Sequence, residues 1–179
     1  LVVPAMMALL ESGEVRIDGF LCPGHVSVII GSNAYRPIVS RFGRPCVVAG
    51  FEPADILRGL EMILQQLAGG RAGVENAYAR AVTAEGNREA QRMLAAIFEP
   101  CETPWRGLGT IPASGLGLRR EFAEFDAARR FGLEIDARER TGGCRCGEVI
   151  RGAIEPAECP LFAKVCTPAK PVGPCMVSR

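Results

Sequence analysis

Apolar residues recur along the chain with two periods, one helical and one of strands. "VPAMMALLESG" has the spacing of an amphipathic helix stopped by Gly13. "VRIDGFLC" gathers its apolar residues ahead of a turn and predicts a short buried strand. "PGHVSVIIG" begins as a turn and enters a helix at His25 or Val26, and "SNAYRPIVSRFG" follows as a helical or irregular connection broken by Pro37. "RPCVVAG" predicts a second strand, with Cys46, Val47, Val48 and Ala49 held between Pro45 and Gly50.

"FEPADILRGLEMILQQLAGG" is the clearest helix. Pro53 suits the first helical position, and Glu52 and Asp55 suit the positive end of the dipole. Ile56, Leu57, Leu60, Ile63, Leu64 and Leu67 recur on one face, which is expected to be the buried one, and Gly69 and Gly70 end the helix. "VENAYARAVT" reads as a strand or extended edge. "NREAQRMLAAIFEP" is a second good helix with Ala90, Met93, Leu94 and Ile97 on one face. Strands alternating with helices predict an α/β fold: an open, largely parallel sheet flanked by helices.

From Cys101 the texture changes. "CETPWRGLGTIPASGLGL" is rich in Gly and Pro and fits no period, so it reads as a crossover to a new unit. "RREFAEFDAARRFG" predicts a charged helix with Phe122, Phe125 and Ala128 inward. After Gly142 comes a cysteine-rich, mostly irregular or helical tail that needs a cross-link, a metal or a neighbouring domain to order it. The expected division is an α/β domain over residues 1–112 and a cysteine-rich region over 113–179.

Composition narrows the class. Hydrophobic residues make up 48% of the 179 positions, enough for a folded core. Charge is balanced, 21 basic against 20 acidic residues, which gives no support for nucleic acid as a partner. No apolar run reaches the roughly 18 residues of a membrane span. The start shows no initiator Met, basic n-region or cleavage pattern, and reads like the middle of a protein. A cytoplasmic, reducing location is therefore expected, where clustered cysteines bind metal or do redox chemistry more often than they form structural disulfides.

Two places carry candidate chemistry. In an open parallel sheet, ligands sit beyond the carboxyl ends of the strands. The loops "CPGHVS" and "GFEP" follow the two strands, so Cys22, His25, Ser27 and Glu52 share one edge if those strands are neighbours. His25, the only histidine, can shuttle a proton, ligate a metal or cap its helix; Glu52 can serve a site or merely its helix dipole. Cys46, inside an apolar strand, reads as a core residue. No phosphate-binding glycine loop and no nucleophile elbow is present.

The other place is the tail, with Cys144, Cys146, Cys159, Cys166 and Cys175. One residue separates the first two; twelve, six and eight residues separate the rest. Zinc ribbons bring two close pairs, which this spacing lacks. An iron–sulfur cluster accepts irregular spacing. Cluster, zinc and redox thiols all stay open on spacing alone.

The stretches "GFLCPGHVSVIIGSNAY", "RPCVVAGFEPADIL", "WRGLGTIPASGLGL" and "CRCGEVIRGAIEPAECPLFAKVCTPAKPVGPCMVS" together resemble the HypD family of hydrogenase maturation proteins, in order and throughout the chain. The resemblance implies the C-terminal half of such a protein: most of a second α/β domain, then a region that binds a [4Fe–4S] cluster. It implies a scaffold for the Fe(CN)₂CO group of [NiFe]-hydrogenases rather than a conventional turnover enzyme. Its partners would be a small HypC-type chaperone that carries iron and a HypE-type cyanide donor, joined by a monomer, with iron or Fe(CN)₂CO held transiently. Carried over by motif, Cys146, Cys159 and Cys166 match cluster ligands, the fourth is expected beyond Arg179, and Cys144 and Cys175 are the weaker substitutes. His25, Ser27 and Glu52 match loops lining the family's central cleft. The rival readings are a thiol–disulfide oxidoreductase and a structural zinc protein that binds partners.

Overall fold

The structure is a computed structural model that describes residues 1–12, 15–105, 107–133 and 142–176. Gly13, expected to end the first helix, lies outside the described residues, as do Val177, Ser178 and Arg179 at the end of the tail motif. In chain order the elements are α1 (Val2–Glu11), β1 (Phe20–Pro23), α2 (Gly24–Ile30), α3 (Arg36–Phe42), β2 (Cys46–Ala49), α4 (Pro53–Ala68), β3 (Val74–Asn76), α5 (Arg88–Ile97), β4 (Phe98–Trp105), β5 (Gly109–Leu118), α6 (Ala127–Arg130) and α7 (Cys146–Ile150). They form two compact units, Asp18–Phe98 and Leu1–Ile17 with Glu99–Arg179. The sequence-based boundary after residue 112 falls within β5.

The first of these units is the α/β layer. Its sheet is parallel with order β1-β2-β3. Phe20 pairs with Cys46 and Pro23 with Ala49, and Val48 pairs in turn with Asn76. The central strand has no polar residue, and all four of its side chains are buried, as a strand covered on both faces requires. The first strand begins at Phe20 rather than at the apolar Val15. Gly31, at the end of α2, has φ +78, and a Cβ there would meet the backbone of Glu85 and Gly86 at 2.6 Å; only glycine fits.

Helix α4 has the expected limits, with Pro53 in its first turn and Gly69 at its C-cap, but it turns a different face inward. Asp55, Gly59, Ile63 and Gln66 are buried, while Leu57, Leu60, Leu64 and Leu67 stay exposed. Gly59 explains the choice. A Cβ there would lie 2.5 Å from Leu21 Cδ1 and 3.0 Å from Ala49 Cβ, so the glycine lets the helix backbone sit directly on the sheet. Gln66, fully buried, is satisfied at both ends: its Nε2 donates to Glu75 Oε2 at 2.9 Å and its Oε1 accepts from Gly73 N at 2.6 Å. In α5, Asn87 caps the first turn by accepting from Ala90 N at 3.0 Å. Ala90, Leu94 and Ile97 are half-buried there, but Met93 is exposed.

In the other unit, α1 packs on β5, and β4 and β5 pair as a two-stranded sheet. This is the stretch that fits no period in the sequence. Gly107 and Gly109, with φ +81 and +78, supply the left-handed conformations the connection needs. Trp105 Nε1 donates to the buried Ser114 Oγ at 2.7 Å, and Ser114 donates onward to Ile111 O at 2.8 Å. The expected charged helix is instead a 3-10 turn, Arg120–Phe125, followed by α6, because Asp126 caps α6 by accepting from Ala128 N and Arg129 N. Phe122 and Ala128 are half-buried, whereas Phe125 is exposed, contrary to the predicted face. The fold is α/β, a parallel sheet flanked by helices, with a hairpin and a cysteine-containing C-terminal region.

Candidate functional site

Three loops leave the carboxyl edge of the parallel sheet, because the strand register brings Pro23, Ala49 and Asn76 to that edge. Glycines let them interlock. A Cβ on Gly24 would lie 2.6 Å from Ala49 O and 2.7 Å from Tyr78 Cδ1, and one on Gly50 would strike Asp55 Oδ2 and lie 2.9 Å from Tyr78 Cε2. Above them His25 is exposed, with its ring 5.1 Å from that of Phe51, itself 67% exposed. Glu52 also faces solvent. Ser27 does not: it is fully buried, donates to Pro23 O at 2.8 Å and shares a 3.0 Å hydrogen bond with Tyr35 Oη. It holds the turn that carries His25.

Sequence reasoning missed the charged clamp at this edge. Arg80 grips Asp55 with both terminal nitrogens, at 2.8 and 2.6 Å, reaches Glu52 at 3.5 Å, and lies 4.4 Å over the Tyr78 ring. The hydrogen bonds from Arg80 hold the Asp55 carboxyl below its ordinary range, against the opposing effect of burial. The same pairing raises Arg80. Asp55 reads in sequence as a helix-dipole residue, and Arg80 sits in a stretch without period, so neither carried a signal of the pair.

Under the loops is a cluster of Cys22, Cys46, Tyr35 and Ser27, all buried. The hydrogen bond with Cys46, and then burial, push the Cys22 thiol up. Burial pushes the Tyr35 phenol up to about 12, against the pull of its bond with Ser27. Both groups are neutral at pH 7, so Cys22 is a core thiol and not a loop nucleophile.

The second candidate is the C-terminal cysteine region. All eight cysteines of the chain are free thiols. Cys146, Cys159 and Cys166 are buried, Cys144 is half-buried and Cys175 exposed. Backbone N–H groups point at the sulfurs. Val172 N donates to Cys166 Sγ at 3.2 Å. Those of Arg145 and Leu161 lower the Cys159 thiol, outweighing the opposing effect of its burial, with smaller contributions from the Phe162 N–H and the Cys144 thiol. Cys175 is raised by partial desolvation and then by Cys144, Cys166 and Cys159. Cys144, Cys159, Cys166 and Cys175 thus share one electrostatic neighbourhood.

Cys146 adjoins Cys144 at Gly173. It opens α7, and its Sγ packs against two glycines: a Cβ on Gly107 would lie 3.1 Å from it, and one on Gly173 3.0 Å. Gly173 also cradles Cys144, whose Sγ would be 2.6 Å from an added Cβ. Arg145, between the two cysteines, is paired with Glu148 at 2.7 and 2.5 Å. Among the described residues, no three His, Cys, Asp or Glu side chains stand close enough to hold one metal ion.

The family model HypD, described as the hydrogenase formation hypA family, matches residues 1–179. The chain belongs to the HypD family. It is 49% identical over 180 residues to the hydrogenase expression/formation protein HupD of Azotobacter chroococcum mcd 1, covering 97% of this chain and 48% of that protein. The same identity and coverage hold for the hydrogenase maturation factor HypD of Azotobacter vinelandii. With the HypD of Cupriavidus necator the identity is 46% over 181 residues, again 97% of this chain and 48% of the relative. The chain spans about half the length of the curated relatives it matches.

The HypD motifs quoted from the sequence therefore fall on three structural places. The "GHVS" and "FEP" loops come together at the carboxyl edge of the sheet, with His25 and Glu52 at the surface and Ser27 below it. "WRGLGTIPASGLGL" supplies the end of β4 and all of β5. In the cysteine motif, Cys144 and Cys146 crowd Gly173. No helix among the described residues is long and apolar enough to cross a membrane.

Proposed function

We propose that this chain forms part of a scaffold in [NiFe]-hydrogenase maturation, on which the Fe(CN)₂CO group is assembled, and that its C-terminal region holds a [4Fe–4S] cluster. The relatives' names, hydrogenase maturation factor, support the first part. The observation that carries the second is the set of backbone N–H groups directed at Cys159 and Cys166, with two further thiols beside them. Such donors stabilise thiolate and are one way a protein tunes a cluster. The donor chemistry fits the group.

Cys146, Cys159 and Cys166 would hold the cluster, as the family motif implies. Cys144, which contacts the Cys159 thiol, is the weaker substitute among them. A cysteine beyond Arg179 would be the fourth, with Cys175 the weaker substitute. When bound, the cluster supplies one-electron redox chemistry. The chain's own part is to hold the Cys159 thiol low, to donate the Val172 N–H to Cys166, to leave room for the sulfurs at Gly173, and to place the Arg145–Glu148 pair beside them. His25, Phe51 and Glu52 would face the iron-bearing cargo or the HypC-type chaperone, and a HypE-type protein would supply cyanide. The protein would be a monomer before complex formation and cytoplasmic. Residues 1–112 would match most of the family's second α/β domain.

Anaerobic reconstitution of the family-length protein, with iron, sulfide and zinc analysis and electron paramagnetic resonance after reduction, tests the reading. Iron and sulfide in near-equal amounts are expected, and Cys159→Ser should abolish them. Zinc without iron would leave a structural zinc protein. Neither metal, with reversible thiol oxidation, would leave a thiol–disulfide oxidoreductase.

A further inference from the structure

Helix α4 carries leucines at 57, 60, 64 and 67, a three–four–three spacing, on a face left exposed among the described residues. Leu57 is 67% and Leu64 64% exposed, and Leu60 and Leu67 are about as open as surface residues. This is the seam spacing by which one helix packs along another. It lies about a third of a turn round the helix from the Asp55–Gly59–Ile63–Gln66 line that meets the sheet. The helix thus has two contact faces, a small-residue one that is used and a leucine one that is not. Beside it, β1 is an end strand of the three-stranded order, and its Leu21, which packs at Gly59, is also exposed.

We propose that the leucine seam of α4 is the docking face for an amphipathic helix supplied by the part of the family-length protein outside these 179 residues. Three observations favour that occupant. The relatives are about twice as long as this chain, so the same polypeptide has material to cover the face. The seam exposes roughly 400 Å², the size of the largest apolar patch on an ordinary monomer, which is often functional, but about half of the roughly 800 Å² per partner that a stable complex of separate molecules buries. A tethered helix needs no such area, because its effective concentration is in the millimolar range. Finally, the charges flanking the seam cancel: Arg58 pairs with Glu61 at 2.7 Å, and Gln65 hydrogen-bonds Glu61 at 3.1 Å. Recognition is therefore apolar, and the docking helix should present Leu, Ile, Val or Phe at matching spacing with little net charge. The proposal stands apart from the cluster assignment and survives if no cluster is found.

The test is photo-cross-linking in the family-length protein, with benzoylphenylalanine placed in turn at positions 57 and 64. Both side chains are exposed in the α/β unit, so neither replacement should disturb it. Irradiation should give a product of monomer mass whose linked peptide maps outside residues 1–179, with a yield independent of protein concentration. A link to a second copy, to another protein, or within residues 1–179 would overturn the proposal, and so would no link at either position. Independently, Leu57→Glu with Leu64→Glu should lower the thermal midpoint of the family-length protein by roughly 5–10 °C. Gln65→Lys, off the seam, should leave it within about 1 °C. Equal midpoints for the two variants would also overturn it.

Discussion

Replacing Gly173 by alanine tests the cysteine region at its tightest point. Gly173 is buried, and an added Cβ would lie 2.6 Å from Cys144 Sγ, 2.8 Å from Cys146 Cβ and 3.0 Å from Cys146 Sγ. Its φ is not in the left-handed region, so alanine meets no backbone penalty and only the contacts are tested. Optimal separation of such atoms is about 3.5–4.0 Å, so one of the two cysteines must retreat by about 1 Å. Overpacking of this kind costs about 1–3 kcal/mol. If that strain falls on the cluster-bound form, cluster affinity drops about tenfold to a hundredfold, at about 1.4 kcal/mol per factor of ten. The assay is release of iron to a chelator after anaerobic reconstitution of the family-length protein, together with the rates at which Cys144 and Cys146 react with a thiol reagent before reconstitution. Gly117→Ala is the control, since its Cβ would meet Cys101 at ordinary distances of 3.6 and 3.7 Å. If Gly173→Ala loaded and kept iron like the control, with unchanged thiol reactivity, the claim that this glycine shapes the cysteine site would fail.

Two further outcomes concern the α/β unit. Gln66→Leu strands the Gly73 N–H and removes a bond to the half-buried Glu75, so stability should fall by about 1–3 kcal/mol, read from urea unfolding; an unchanged midpoint would mean that water replaces both bonds. The Asp55–Arg80 pair sets a pH dependence: because the folded carboxyl lies below its ordinary range, its contribution is complete above that range and is lost as pH falls through the folded value. Thermal midpoints of wild type and Arg80→Met should therefore differ at pH 7 and converge in acid, and a constant difference across that range would contradict the assignment.

What the sequence revealed and what it hid follow from one distinction. Features set by neighbouring residues were readable. The limits of α4, the buried β2 and the pairing of two loops at one sheet edge all depend on a proline, a glycine or an apolar run a few positions away. Features set by a partner far along the chain were not. Arg80 meets Asp55 across 25 residues, and no period announces it. The hairpin of β4 and β5 hides in a Gly- and Pro-rich stretch, and the buried positions of β5 do not alternate.

The inward face of α4 belongs to the same group, and it bears on how hydrophobicity is read. The periodicity located the leucines correctly and assigned them to the core, since burial of apolar area ordinarily decides a helix's orientation. Here close approach decided it, because Gly59 lets Leu21 and Ala49 touch the helix backbone while the leucines flank that contact. The tail cysteines obey the same logic at shorter range. Spacing could count thiols, but it could not show that Cys144 and Cys146, two positions apart, both crowd Gly173. Cys146 begins α7 and lies against Gly107, whereas Cys144 stays ahead of the helix beside Cys159. At α4 a residue with no side chain selects which neighbour packs, and in the tail another sets how closely two sulfurs approach, so a pattern of large residues alone marks the candidates and cannot choose among them.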